Sequence, residues 1–280
     1  MPAKALKHRF AKLASYTVLT VAAILVLFPL YMTVVTSLLD PTLIGHVPPY
    51  FYPPHPTWGI YADVFTQAHF GHYIVNSLIQ SSLITIASVV TSLLAGYAFA
   101  MLEFPLKRTL FFLTLVTVAI PFEVTVTANY LTVVHLGYNA TMIGMVLPFL
   151  ASGFGIFLMR QAFLQVPYEI REASLIDGYG DVGFFFRVGI PLVRPMIGGL
   201  TLVSFLSAWN QYLWPLIQSS NTDSLRTAQI GLQTLFGSTT SITALNEYVA
   251  ASIILIAPFF ILLIFFQRQL IANLTSGAVK

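Results

Sequence analysis

Pro167-Tyr-Glu-Ile-Arg-Glu-Ala-Ser-Leu-Ile-Asp-Gly178, continuing through Val188-Gly-Ile-Pro191 to Pro195, is a charged island in an otherwise apolar chain. Seven of the 23 charged residues (Glu169, Arg171, Glu172, Asp177, Asp181, Arg187 and Arg194) fall within these 29 positions. Hydrophobic residues make up 57% of the chain, charged residues only 8%, and the mean hydropathy is +0.82. A soluble domain carries roughly 25% charge, so this is an integral membrane protein. An island of this kind between two lipid-embedded segments reads as a place where a soluble partner grips or pushes; the alternative is a solvated loop whose charges only keep it out of the bilayer.

Working outward, uninterrupted apolar runs predict six membrane helices: about Ala14 to Leu39, Tyr73 to Leu102, Thr109 to Tyr130, Ala140 to Met159, Met196 to Gln218, and Tyr248 to Phe266. The fold class is therefore an all-α integral membrane protein, a single transmembrane domain over residues 1–280 with the island as its loop at about 160–195. The first run is longer than a signal-peptide core, carries Pro29 and lacks a small-residue cleavage pattern, so it is read as a span. Lys and Arg gather on one side: Lys4, Lys7, Arg9 and Lys12 before span one, Lys107 and Arg108 between two and three, Arg160, Arg171, Arg187 and Arg194 between four and five, and Arg268 and Lys280 after six. Only Arg226 falls on the other side, so both termini are expected to be cytoplasmic. The long first loop, Asp40 to His72, has no Lys or Arg and holds a Pro- and Tyr-rich run, Pro48 to Pro56, expected to lie extended along the outer surface.

Within the island, Tyr168 to Asp177 predicts a short helix, with Pro167 at its start, Glu169 and Glu172 near the positive end of its dipole, and Gly178 ending it in a left-handed conformation. Asp181 is expected to cap a second short helix through Phe184, Phe185 and Phe186 that stops before Pro191. Together they form a helix-turn-helix.

The spacing Glu172-Ala173-Ser174, three residues, Gly178, nine residues, Val188-Gly189-Ile190-Pro191 resembles the EAA motif of permease subunits of binding-protein-dependent ABC importers of the carbohydrate-uptake type. Ser174, Val188 and Ile190 are conservative departures, and Tyr179 stands where sugar permeases usually have Ala. Glu103-Phe104-Pro105 and the tail from Gln267 to Gly277 extend the resemblance. Pro121-Phe122-Glu123-Val124 and Trp209-Asn210-Gln211-Tyr212-Leu213-Trp214-Pro215 are most similar to the sn-glycerol-3-phosphate branch.

The resemblance implies a coupling helix seated in a groove of an ATP-binding subunit, with Glu169, Glu172, Ala173, Ser174, Asp177 and Gly178 as the coupling residues. It also implies a second permease subunit, two ATPase subunits carrying ATP and Mg, an extracytoplasmic solute-binding protein, and residence in a bacterial or archaeal inner membrane. The expected solutes are glycerol 3-phosphate, a glycerophosphodiester or a related sugar, with an oligosaccharide or disaccharide as the alternative. No phosphate-binding loop occurs, because no lysine follows a glycine. ATP hydrolysis is thus assigned to other chains, and this chain is read as a transport subunit, not an enzyme, with no cofactor of its own and no nucleic-acid partner.

Candidate pathway residues are Glu123, Trp209, Asn210, Gln211 and Tyr212. An ionisable group at membrane depth is a functional candidate, yet Glu123 also reads as a structural partner at a proline kink, or as the coupling carboxylate of an ion-driven secondary transporter. The Trp-Asn-Gln-Tyr run suits a polyol or sugar, with interhelical bonding and an aromatic belt led by Trp214 as the structural reading. Asn76 reads as a helix cap. His69 and His72 have the spacing of metal ligands but no third partner, so no metal site is expected. The Ser-, Thr- and Gly-rich loop from Ser219 to Asn246 reads as a flexible linker or, by resemblance, as the segment reaching into the binding protein, with Gly237, Ser238 and Thr239 at its tip.

Overall fold

In the computed structural model, which describes residues 2–66, 69–237 and 242–276, every regular element is helical. In chain order these are α1 (Pro2–Leu38), α2 (Gly59–Thr66), α3 (Phe70–Met101), α4 (Lys107–Ala119), α5 (Phe122–His135), α6 (Met142–Val146), α7 (Gly153–Leu164), α8 (Tyr168–Ile176), α9 (Asp181–Phe184), α10 (Ile190–Trp209), α11 (Leu213–Gln218), α12 (Ala228–Gly237) and α13 (Ile242–Ser276). Four stretches are long and apolar enough to cross a membrane: Lys12–Leu38, Phe70–Met101, Asp181–Trp209 and Leu245–Leu262. Counting the bent pairs α4 with α5 and α6 with α7 as one span each gives six among the described residues, as expected from the sequence.

Three expected helices are interrupted, each at a proline. Ile120 precedes Pro121 and is driven into extended backbone (φ −91°, ψ 113°), so α4 ends and α5 restarts at an angle of 106°. Pro148 lies in a 3-10 turn, Leu147–Phe149; α7 then starts behind Ser152, whose hydroxyl accepts from the Gly155 N–H at 3.1 Å, and the pair is bent by 50°. A continuous fifth helix would drive the Pro215 ring into the Gln211 carbonyl, and the chain breaks after Trp209 before α11 begins.

At α9 the reverse happens. The expected stop before Pro191 does not occur: the helix runs from Asp181 to Trp209 through a π turn, Phe185–Gly189. There the Ile190 N–H reaches the Phe185 carbonyl five residues back, and the wider turn accommodates a proline that lacks its own N–H. Asp181 is the first residue of α9 and not its cap; Gly180 holds the cap position.

The chain divides into two compact units, residues 1–71 with 232–256 and residues 72–231 with 257–280. In the first, α1 presents a largely exposed apolar surface that includes Leu19, Ile24, Leu25 and Val26. Its far end is tied to the following loop by Ser37 Oγ and Tyr61 OH (2.7 Å), by Thr57 N–H donating to the Leu38 carbonyl (3.0 Å), and by buried Asn246 donating to the Leu39 carbonyl (2.9 Å). Beyond the Pro48–Pro56 run, the first loop contains α2, whose Ile60 and Val64 are buried.

The second unit has its core where α3, α7, the π turn and α10 meet. Tyr97, Phe163, Phe184 and Phe185 are buried with Val89, Leu93, Met159 and Leu200. The Tyr97 ring stands edge-on to Phe163 (5.3 Å) and 5.0 Å from Phe185, and such pairs contribute about 0.5–1.5 kcal/mol each beyond the area they bury. Hydrocarbon solvates Leu as well as a protein core does, so close packing drives helix association here. Gly96 allows that approach: a Cβ in its place would lie 2.6 Å from the Met159 Cβ.

Candidate functional site

α8 starts behind Pro167 and ends in a Schellman arrangement: the Gly178 N–H donates to the Leu175 carbonyl (3.0 Å) and the Tyr179 N–H to the Ser174 carbonyl (2.9 Å), with Gly178 at φ +85°. This is the predicted helix and stop. Glu169, Glu172, Ala173, Asp177 and Gly178 are exposed, whereas Ser174 is buried, its hydroxyl donating to the Arg171 carbonyl at 2.7 Å. Tyr168, Leu175 and Ile176 were not singled out by sequence reasoning, yet they are 69%, 56% and 86% exposed. The outer surface of α8 therefore joins carboxylates to an apolar tip. The signal was present as apolar residues flanking acidic ones on a helix of only nine residues.

Arg171 holds the inner side. Its Nη1 donates to the Met101 carbonyl at 2.6 Å and its Nη2 to Asp181 Oδ1 at 3.2 Å, so one guanidinium ties α8 to the end of α3 and the start of α9. Tyr97 OH donates to the Asp181 carbonyl (3.0 Å), and Ile170 packs on the core. The last turn of α3 contains no basic residue of its own. Three cations from elsewhere supply one: Arg160 Nε donates to the Phe99 carbonyl (3.2 Å), Arg171 to Met101, and Lys107 Nζ to the Leu102 carbonyl (2.7 Å). Each answers a carbonyl left without a helical partner at the negative end of the dipole. The Tyr179 ring, at the position expected to hold Ala, lies under the Arg187 guanidinium at 5.2 Å.

The pathway candidates are separated. Glu123 is exposed in the first turn of α5. Trp209 is buried and stacks on Phe205 (5.9 Å). Asn210 donates to the Leu206 carbonyl (2.8 Å) and accepts from Gln229 (3.3 Å), Gln211 Oε1 accepts from Gln80 Nε2 (2.9 Å), and Tyr212 is exposed. Of these only Gln211 reaches a cavity of about 370 Å³ between α3, the α6–α7 bend and α10, which it lines with Ser88, Ser152, Ser204, Ser207 and Phe149. Sequence reading missed the serines; their signal was the helical spacing of Ser204 and Ser207, which puts them on one face of α10, with Gln211 just past its end.

Several expectations are corrected. Trp214 is not an interfacial belt residue: it is 1% exposed, donates to the Gly144 carbonyl (3.2 Å) and meets Phe122 edge-on (5.8 Å). Asn76 is not a cap, because α3 starts six residues earlier, at Phe70; its amide donates to the Ser224 and Arg226 carbonyls at 2.7 and 2.9 Å. His72 pairs with the Ser224 carbonyl at 2.7 Å. Of the two readings of the segment from Ser219 to Asn246, the flexible linker does not hold over α12, where Ala228, Ile230 and Gly231 are buried. Gly237 ends α12, while Ser238 and Thr239 lie outside the described residues.

Residues 88–276 match the family described as the binding-protein-dependent transport system inner membrane component. The sn-glycerol-3-phosphate transport system permease protein UgpE of Yersinia enterocolitica is 31% identical over 268 residues, covering 94% of this chain and 95% of its own. The protein of that name from Pectobacterium atrosepticum is 31% identical over 269 residues with the same coverage. A chain from the crystal structure of a bacterial ABC transporter involved in the import of the acidic polysaccharide alginate superposes with a TM-score of 0.74, covering 93% of this chain and 96% of its own. At 19% identity that likeness speaks to the fold alone.

Proposed function

The chain belongs to the family of inner-membrane components of binding-protein-dependent transport systems and is a permease subunit of an ABC importer, and from that premise we propose how it is energised and what it carries. α8 is the docking element for an ATPase subunit on the cytoplasmic face, and both termini lie on that side. Glu169, Glu172 and Asp177 meet basic groups of the ATPase, while Leu175 and Ile176 enter an apolar groove. ATP and Mg reside in two ATPase subunits, and a second permease completes the path. An extracytoplasmic binding protein delivers the solute to the opposite face, where Gly237, Ser238 and Thr239 take part in its docking.

The observation that carries this reading is the combination on one short helix of an exposed acidic and apolar outer surface with an inner surface pinned by Arg171 to both α3 and α9. A displacement of α8 is then delivered at once to two spans, α3 and the Asp181–Trp209 helix. Nucleotide-driven closure of the ATPases biases the permease between its two openings through those contacts. The solute is glycerol 3-phosphate or a glycerophosphodiester, supported by relatives that share 31% of residues across nearly the whole chain. Glu123 and the Trp209–Tyr212 run belong to the pathway side of the subunit.

Uptake of labelled sn-glycerol 3-phosphate into proteoliposomes tests the proposal. Transport is expected only when the second permease, the ATPases, ATP and the binding protein are all present. Gradient-driven uptake by this chain alone refutes it.

A further inference from the structure

The cavity between α3, the α6–α7 bend and α10 has an unusual wall for a site at membrane depth. A helical hydroxyl in hydrocarbon ordinarily satisfies itself on a carbonyl one turn back. The threonines of these helices do so: Thr85 donates to the Ser81 carbonyl (2.6 Å), Thr91 to Ala87 (2.9 Å) and Thr201 to Ile197 (2.8 Å). Ser88, Ser204 and Ser207 line the cavity and make no side-chain hydrogen bond among the described residues; Ser88 is 97% buried, Ser204 is half-buried and Ser207 is exposed. Beside them, Gln211 has its oxygen occupied by Gln80 and its amide nitrogen unspent, and the Ser152 hydroxyl accepts from Gly155 and keeps its own proton to give. The cost of an unpartnered polar group in low dielectric applies to Ser88, and the other groups, which face the open side of the cavity, are there for water or a ligand to complete.

The remaining wall is apolar, with Phe149 and Phe154 offering ring surface, and no charged side chain lines the space. Donors and acceptors in alternation with aromatic faces match the hydroxyl and C–H surfaces of a polyol or sugar. They do not match an anion, which requires a cation or converging backbone N–H groups. At about 370 Å³ the cavity is at the small end of the range of about 300–1,000 Å³ for ligand sites. We propose that this cavity is a subsite, contributed by this subunit, for the neutral hydroxyl-bearing part of the solute, and that any phosphate on the solute is held outside it. The proposal rests on the transport reading above.

The absence of cysteine from this chain makes a direct test available. Ser204→Cys and Ser207→Cys are introduced one at a time in the complete reconstituted complex, with accessible cysteines of the partner subunits replaced. Leu94→Cys, on an exposed apolar surface, is the control. A small water-soluble thiol reagent is expected to modify both serine positions in at least one nucleotide state, and not the control. Saturating sn-glycerol 3-phosphate, a glycerophosphodiester or a disaccharide is expected to slow that modification. In uptake, Ser204→Ala and Ser207→Ala are each expected to raise KM about three- to tenfold, the loss of one neutral hydrogen bond. The rise is expected to be smaller for a deoxy analogue that lacks the matching hydroxyl. Thiols unreactive in every nucleotide state, reactive thiols that none of the three solutes shields, or equal KM increases for solute and deoxy analogue each overturn the subsite. A wild-type complex that takes up neither phosphate ester refutes the solute assignment instead, and the labelling then decides the cavity independently.

Discussion

Replacing Arg171 with alanine is expected to separate ATP hydrolysis from movement of solute. The substitution removes a bond from a charged donor to the Met101 carbonyl and an ion pair to Asp181 whose carboxylate is half exposed. Hydrogen bonds to charged groups contribute about 1.5–3 kcal/mol, and a solvent-exposed ion pair adds about 0.2–1 kcal/mol. A loosening of about 2 kcal/mol lowers the population of the arrangement in which α8 is locked to α3 by a factor of about thirty. The exposed surface of α8 is untouched, so ATPase subunits are expected to remain bound through purification. Solute moved per ATP hydrolysed in proteoliposomes is expected to fall about tenfold or more, since each ATPase stroke is then absorbed by slack at the joint. Arg171→Lys keeps the charge but reaches only one acceptor and is expected to recover part of the ratio; Asp181→Asn is expected to lose less than Arg171→Ala. Wild-type stoichiometry in Arg171→Ala refutes the reasoning. Loss of assembly and uptake together reassigns Arg171 to folding.

At Gly178 the backbone is left-handed at φ +85°, which costs an L-residue about 1–2 kcal/mol. Gly178→Asp is expected to leave membrane insertion intact while reducing co-purification of ATPase subunits, and Gly178→Asn, better tolerated in that conformation, is expected to be milder. Gly96→Val places its new carbon against the Met159 Cβ at 2.6 Å and the Arg160 nitrogen at 2.8 Å. Overpacking of this kind costs about 1–3 kcal/mol, read as a lowered melting temperature in detergent, whereas Gly199→Ala meets nothing within 4 Å and is expected to melt like the wild type.

The number of candidate membrane spans and the short helix α8 with its glycine stop were legible in the sequence because each rests on a local signal: an apolar run long enough to cross lipid, or a proline, two glutamates and a glycine at helical spacing. What was not legible depends on neighbours. Pro121 and Pro191 carry the same local instruction to stop, yet the chain breaks at the first and continues through a π turn at the second, where Phe184, Phe185 and Gly189 pack into the aromatic core. Trp214 has the composition of an interfacial residue, and only the position of the Gly144 carbonyl makes it a core one. Arg171 was counted in the sequence only as one of the island's charges and one of the cations on its side of the membrane; that it faces inward follows from its bond to the Met101 carbonyl at the end of α3. The serines of the cavity were masked by their abundance, since a hydroxyl in a membrane helix is ordinary until it is seen not to bond its own backbone.

The unbroken helix from Asp181 to Trp209 has a mechanical consequence. At 1.5 Å per residue it is a rod of about 43 Å, with Asp181 held by Arg171 at one end and Ser204 and Ser207 near the other. A tilt of a few degrees about the lower end sweeps the upper serines through about 3 Å, roughly the length of a hydrogen bond. Because the π turn lies within the first third of the rod, a one-residue change in its winding there would rotate the serine-bearing face by about 100°. If the proposed subsite holds solute, the same helix has the means to tighten on it and to release it without moving its anchored foot.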